Sequence, residues 1–212
     1  MKKIISLVAA CLVSAAAEAH ADPLMKYNYL DVAYQWNTMT AFKDVEPTNG
    51  LDTKLSISPI ENFAIEGGYN YAYGKYSKEI RNIFDFNPSA LNYNTYSYGI
   101  LGYLSYCKGL DFLLRVGGNH FDTTNEIAGQ QEASSYNGVY AGAGSRYLAT
   151  DDLELDANVL YQSNDLGGRD TAVWTYSGTA LYAVLDNVAL KGDVGINNGS
   201  SVTLTAGVRV AM

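Results

Sequence analysis

Apolar residues fall on every second position along nearly the whole chain, and no helical period of comparable length competes with this pattern. A side-chain period of two is the signature of a strand with two unlike faces. Leu30, Val32, Tyr34 and Trp36 alternate with Asp31, Ala33, Gln35 and Asn37. Phe63, Ile65, Gly67, Tyr69, Tyr71 and Tyr73 alternate with Ala64, Glu66, Gly68, Asn70, Ala72 and Gly74. Leu153, Leu155, Ala157, Val159 and Tyr161 alternate with Glu154, Asp156, Asn158 and Leu160. Comparable segments run over 51–58, 96–106, 111–118, 139–147, 172–182, 188–196 and 202–210, which makes ten strands.

An even count lets an up-and-down barrel keep both chain ends on one side. Four connections are tight: Pro59 to Asn62, Cys107 to Leu110, Thr150 to Asp152 and Leu185 to Asn187. Most of the intervening ones are longer: Thr40 to Asn49, Lys75 to Tyr93, Asp122 to Ser134 and Ser163 to Asp170. Short turns at one end and long loops at the other are the outer-membrane arrangement. Two polar turn residues followed by apolar-x-apolar recur at Glu61–Ile65, Asp151–Leu155 and Asp186–Leu190, as hairpin repetition requires.

A soluble barrel would hold the apolar face inside and show the other face to water. That other face carries Asp31, Asp52, Lys54, Glu66, Asp111, Arg115, Arg146, Glu154, Asp156, Lys191, Asp193 and Arg209, spread among many Gly, Ala, Ser and Thr. A water-facing surface would be richer in Lys and Glu than in such small residues. The chain also has 18 Tyr and 20 Gly, with only 17% charged residues. Tyr and Trp near strand ends suit the interfacial girdles of a membrane barrel. The expected fold is an all-β, ten-stranded antiparallel up-and-down transmembrane β-barrel over 22–212.

The first 21 residues read as a secretory signal: Met1-Lys2-Lys3, an uncharged run from Ile4 to Ala17, and the small-x-small end Ala19-His20-Ala21. Cleavage there removes Lys2, Lys3 and Glu18, so 14 bases and 22 acids become 12 and 21, net −9. Such a chain without a basic block excludes nucleic acid as a partner. Cys11 leaves with the signal, and Cys107 has no intramolecular partner for a disulfide. His120 is then the one imidazole, which leaves no Cys/His zinc site, and no cofactor is expected.

Thr205-x-Gly207-x-x-Val210-x-Met212 is similar to the terminal-strand assembly signal of bacterial outer-membrane proteins, although Met212 replaces the usual terminal aromatic residue. With the strand pattern and the signal peptide, the chain resembles the small single-domain outer-membrane barrels of Gram-negative bacteria, the OmpA/OmpX-like and Opa-like group. The resemblance spans 22–212. It implies residence in the cell outer membrane, periplasmic termini, outward loops, contact with outer-membrane lipid and lipopolysaccharide, and recognition of residues 205–212 by the assembly machinery. Members serve as structural anchors, narrow pores, adhesins or, in a few cases, hydrolases. No peptidoglycan-binding domain is expected after the last strand.

Chemistry in the chain is sparse. Outer-membrane hydrolases commonly use His as base. His120 has outward parity and is followed by Phe121-Asp122, without the His-x-Ser pair of lipid-A deacylase barrels. Asp151-Asp152 reads as a turn former, and Glu154 with Asp156 as inward strand carboxylates. The strand glycines relieve crowding in a curved sheet. No catalytic or metal residue is assigned, and the expected function is a structural or narrow-pore barrel that is not an enzyme. A surface adhesin or receptor is the alternative, and a lipid hydrolase comes third.

Two sites are expected. Counting from the tight turns puts Lys54, Glu66, Arg115, Arg146, Asp156 and Lys191 in one inward layer in the lower half. Buried charges must pair. We therefore expect a Glu66, Arg115, Arg146, Asp156 network with Lys54 and Lys191 at its edge, beneath small polar residues such as Asn70, Thr95, Ser97, Asn119 and Ser177. The second is the loop from Lys75 to Tyr93. Ile80, Ile83 and Phe84 share one face of a short helical stretch, and with Phe86 they form a patch that packs on the rim or meets an extracellular ligand.

Overall fold

The computed structural model describes residues 24–38, 46–75, 90–127, 130–165, 170–199 and 201–212. Both the expected signal sequence over 1–21 and the expected loop patch Ile80, Ile83, Phe84 and Phe86 lie outside the described residues. The strands are β1 (Tyr29–Thr38), β2 (Thr48–Ile60), β3 (Phe63–Lys75), β4 (Ala90–Cys107), β5 (Leu110–Ile127), β6 (Gln130–Thr150), β7 (Leu153–Asp165), β8 (Asp170–Leu185), β9 (Val188–Asn197) and β10 (Val202–Ala211). Each pairs antiparallel with its sequence neighbours. The barrel closes where β1 meets β10, from Tyr29 opposite Ala211 to Thr38 opposite Val202.

Two-residue turns at Glu61-Asn62, Lys108-Gly109, Asp151-Asp152 and Asp186-Asn187 mark one end. Asn62 at φ 66° and Gly109 at φ 83° take the left-handed conformation that tight hairpins need. The segment leading into β1 and the C-terminal Met212 lie here too, where the Met212 amide donates to the Asn28 carbonyl at 3.0 Å.

At the opposite end the expected loops are shorter than the sequence suggested. The stretch Asp122 to Ser134 is not a loop: β5 and β6 stay paired as far as Ile127 opposite Gln130. β4, β5 and β6 reach 18, 18 and 21 residues, against 10 for β1, β9 and β10. The polar, Thr- and Ser-rich composition that suggested a loop is compatible with a hairpin in water. Its rungs include Thr123 opposite Ser134, with Phe121 and Tyr136 stacked at 4.8 Å. β2 likewise starts at Thr48, β4 at Ala90, and β7 runs on to Asp165.

The two faces are inverted relative to a water-soluble protein. Leu104 and Leu114 are each 66% and 65% exposed, and Ile57, Ile65, Ile100, Val116, Leu190, Val194 and Ile196 join them on the outside. Phe63, Tyr106, Phe112, Tyr147 and Tyr182 sit beside the short turns, all exposed. Toward the other end Tyr69 meets Tyr96 at 5.2 Å, and Tyr161 meets Trp174 at 5.0 Å. An aliphatic belt between two aromatic sets is the surface that a bilayer accepts.

Candidate functional site in the lumen

Strand parity sends the charged face inward, and register then decides which charges meet. Directly opposed residues on one face of an antiparallel pair lie close enough to interact. Asp31 on β1 is flanked by Arg209 of β10 and Lys54 of β2. Arg146 on β6 is flanked by Asp111 of β5 and Asp156 of β7.

The expected residues fall into three groups. Glu66 receives Lys54 Nζ at 2.7 Å and Arg115 Nε at 3.2 Å, while Arg115 also donates to Asn158 at 2.5 Å. Arg146 lies 3.1 Å from Glu154 and 3.4 Å from Asp156. Lys191 is not at an edge. It is buried between Asp31 at 3.0 Å and Asp193 at 3.1 Å. No ion pair among the described residues joins Glu66–Arg115 to Arg146–Asp156. The groups instead line one lumen cavity of about 220 Å³, together with Tyr29, Asp193 and Arg209.

The centre of this layer holds residues that counting from the turns left out of the network. Arg209 binds Asp31 in a fork, at 2.7 and 3.0 Å, and comes within 3.6 Å of Glu154. Its guanidinium also stacks 3.8 Å from the Tyr29 ring centre. Tyr29 in turn donates to Glu66 at 3.3 Å and so links the first group to the others. Arg146 and Glu154 are each 0% exposed. Their signal was present in the sequence: a closed barrel must pair its first and last strands, and Asp31 and Arg209 share inward parity.

The second element that sequence reasoning passed over is the segment before β1. Leu24 to Asn28 turns into the mouth on the short-turn side. Leu24 is buried against Leu181 and Ala189, on β8 and β9. Tyr27 is buried against Ala64, Leu101 and Leu113, on β3, β4 and β5, and stacks on Tyr103 at 3.5 Å. Inward apolar residues on an otherwise polar face, Leu113 and Leu181 among them, were the available clue, since they need a cover. Tyr27 Oη donates to Asp111 at 2.5 Å. Burial, opposed by the nearby Arg146 guanidinium, pushes the Tyr27 phenol above its ordinary value, so it remains the donor in that bond. The Met25 amide donates to Glu154, and Arg146 donates to the Lys26 carbonyl at 3.1 Å.

His120 is 40% exposed and bonds Asn137 at 2.8 Å and Asp122 at 3.1 Å. Neither partner is a hydroxyl nucleophile. Cys107 is an exposed free thiol. Among the described residues no group of three or more His, Cys, Asp or Glu could hold a metal ion.

No protein-family model matches the chain. No curated protein matches it either. Among solved structures, the translocator domain of the autotransporter NalP from Neisseria meningitidis is similar at a TM-score of 0.55 and 11% identity, covering 98% of this chain and 96% of that one. The NanC porin is similar at a TM-score of 0.52 and 11% identity, over 86% of this chain and 100% of that one. Ail, the attachment invasion locus protein of Yersinia pestis, is 13% identical over 87% of this chain and 99% of that one, with a TM-score of 0.43. The likeness is one of fold, that of the outer-membrane β-barrels.

Proposed function

We propose that this chain, which has the outer-membrane β-barrel fold, works in the outer membrane as a stable barrel with a narrow, ion-sized lumen. The short turns and chain ends would face the periplasm and the extended β4–β6 wall the exterior. The belt of exposed aliphatic residues is suited to the acyl chains of lipid and lipopolysaccharide. Residues 205–212, in β10 and its end, are the segment available to the assembly machinery. The reading is carried by one observation: paired charges from opposite walls converge across the lumen, and the cavity they line measures about 220 Å³, room for about seven waters at about 30 Å³ each.

The layer around Glu66 is the most accessible part of the constriction, because Lys54 is 29% exposed while Glu66 is 5% exposed. Glu66→Ala with Arg115→Ala removes two long side chains and leaves Lys54 free to reach water. Single-channel recording in planar bilayers is expected to show a conductance several-fold above that of the wild type. An unchanged conductance would argue against a charged constriction at this level.

A further inference from the structure

The segment Leu24–Asn28 is unlike every other described part of the lumen. It lies inside the wall without belonging to a strand ladder. Its two apolar anchors sit on opposite sides of the ring, since β8 and β9 face β3, β4 and β5 across the barrel. The backbone between them therefore crosses the mouth as a strap. The bonds that hold it include the Met25 amide to Glu154, Arg146 to the Lys26 carbonyl and Tyr27 to Asp111, while Asn28 at its base is pinned by the Ser58 amide on its side chain and the Met212 amide on its carbonyl. Met25 stands at φ 52°, a left-handed conformation that a side-chain-bearing residue adopts at some cost. A cleft of about 590 Å³ opens beside the strap, lined by Lys26, Tyr27, Tyr103, Ser105, Cys107 and Lys108 among others, and gives it room to swing aside.

We propose that Leu24–Asn28 is a gate on the short-turn mouth, which closes the lumen when Leu24 and Tyr27 are seated and opens it when they leave. The inference rests on the lumen being a narrow conducting path. Seating buries two apolar side chains and makes the bonds of Met25, Lys26 and Tyr27. Leaving exposes the apolar patches around Leu113 and Leu181 to water, so the closed form dominates. The ion-pair layer above the strap does not depend on it for its main contacts: Arg209 keeps Asp31, and Lys191 keeps Asp31 and Asp193. The strap can therefore move without collapsing the barrel.

The native thiol allows a direct test. Lys26 is exposed and lines the same cleft as the exposed Cys107. In the Lys26→Cys protein, a bis-maleimide with a cleavable disulfide joins the two and holds the strap in place. A second variant, Leu24→Asp with Tyr27→Ala, puts a carboxylate in an apolar pocket and removes the other anchor. Its barrel is checked by heat-modifiable gel mobility. In planar bilayers the cross-linked protein is expected to lose its open events and to regain them on reduction. The release variant is expected to raise the open-to-closed ratio at least about tenfold, through loss of two buried anchors. Conductance unaffected by both the tether and the release variant would overturn the gate and leave the narrow-path reading standing. No conductance in any form, the release variant included, would overturn that reading and the gate with it.

Discussion

Arg209→Met is expected to destabilise the barrel by about 3–5 kcal/mol, because it strands Asp31 as a buried carboxylate with half its partners gone. Asp31 is 1% exposed and Arg209 3% exposed. The fork between them crosses the β1–β10 seam, so the loss falls where the barrel closes. The Tyr29 ring loses the guanidinium stacked on it as well. Lys54→Met provides the contrast. Its ammonium is partly in water, and its loss leaves Glu66 still bound to Arg115, so about 1 kcal/mol or less is expected. Urea unfolding in lipid vesicles, followed by Trp36 and Trp174 fluorescence, measures both. Replacing both partners, Arg209→Met with Asp31→Leu, should recover part of the lost stability, since it removes the under-paired carboxylate while Lys191 keeps only Asp193. Equal effects of the Arg209 and Lys54 substitutions would contradict the burial order described above.

Leu114→Arg is expected to cost about 2–4 kcal/mol, because it puts a guanidinium against the hydrocarbon core. Leu114 is 65% exposed and stands on the aliphatic part of the outer face, next to Val116 and Gly102. Tyr106→Arg should cost about 0–1 kcal/mol, because a charge near the interface reaches headgroups and water. Tyr106 is 76% exposed and lies two residues before the Lys108-Gly109 turn. The same vesicle unfolding assay separates them. In a barrel whose outer face met water, both substitutions would be close to neutral.

The fold was legible because alternation is a local property. Each strand carries its own record of which residues share a face, and ten such records with alternating short and long connections leave one architecture. The charged residues could likewise be sent inward one strand at a time. Their partners could not be read that way, because pairing depends on the stagger between strands and on closure of the sheet. Hence turn counting brings Lys54, Glu66 and Arg115 to one level, while Arg209 and Asp31, separated by nearly the whole chain, show inward parity in the sequence but not the register that pairs them. The upper hairpin failed for a different reason. Polar residues from Asp122 to Ser134 look like loop, yet cross-strand pairing in water needs no apolar face, and β5 and β6 extend each other beyond the belt. The strap was missed because five residues carry no period. Only the inward leucines on β5 and β8 hinted that something must cover them.

The arrangement of the two faces is tested most directly by a nitroxide scan along β7, in a Cys107→Ser background reconstituted in vesicles. Ala157, Val159 and Tyr161 have outward parity, and Asn158, Leu160 and Gln162 inward parity. Collision with oxygen, which concentrates in lipid, should be high at the first three positions and low at the second three. The water-soluble nickel reagent should reach none of the first three. A period of two in oxygen accessibility with this phase is the predicted result. The opposite phase, or nickel access at Ala157 and Val159, would contradict a barrel that shows its apolar face to the membrane and keeps its charges in the lumen.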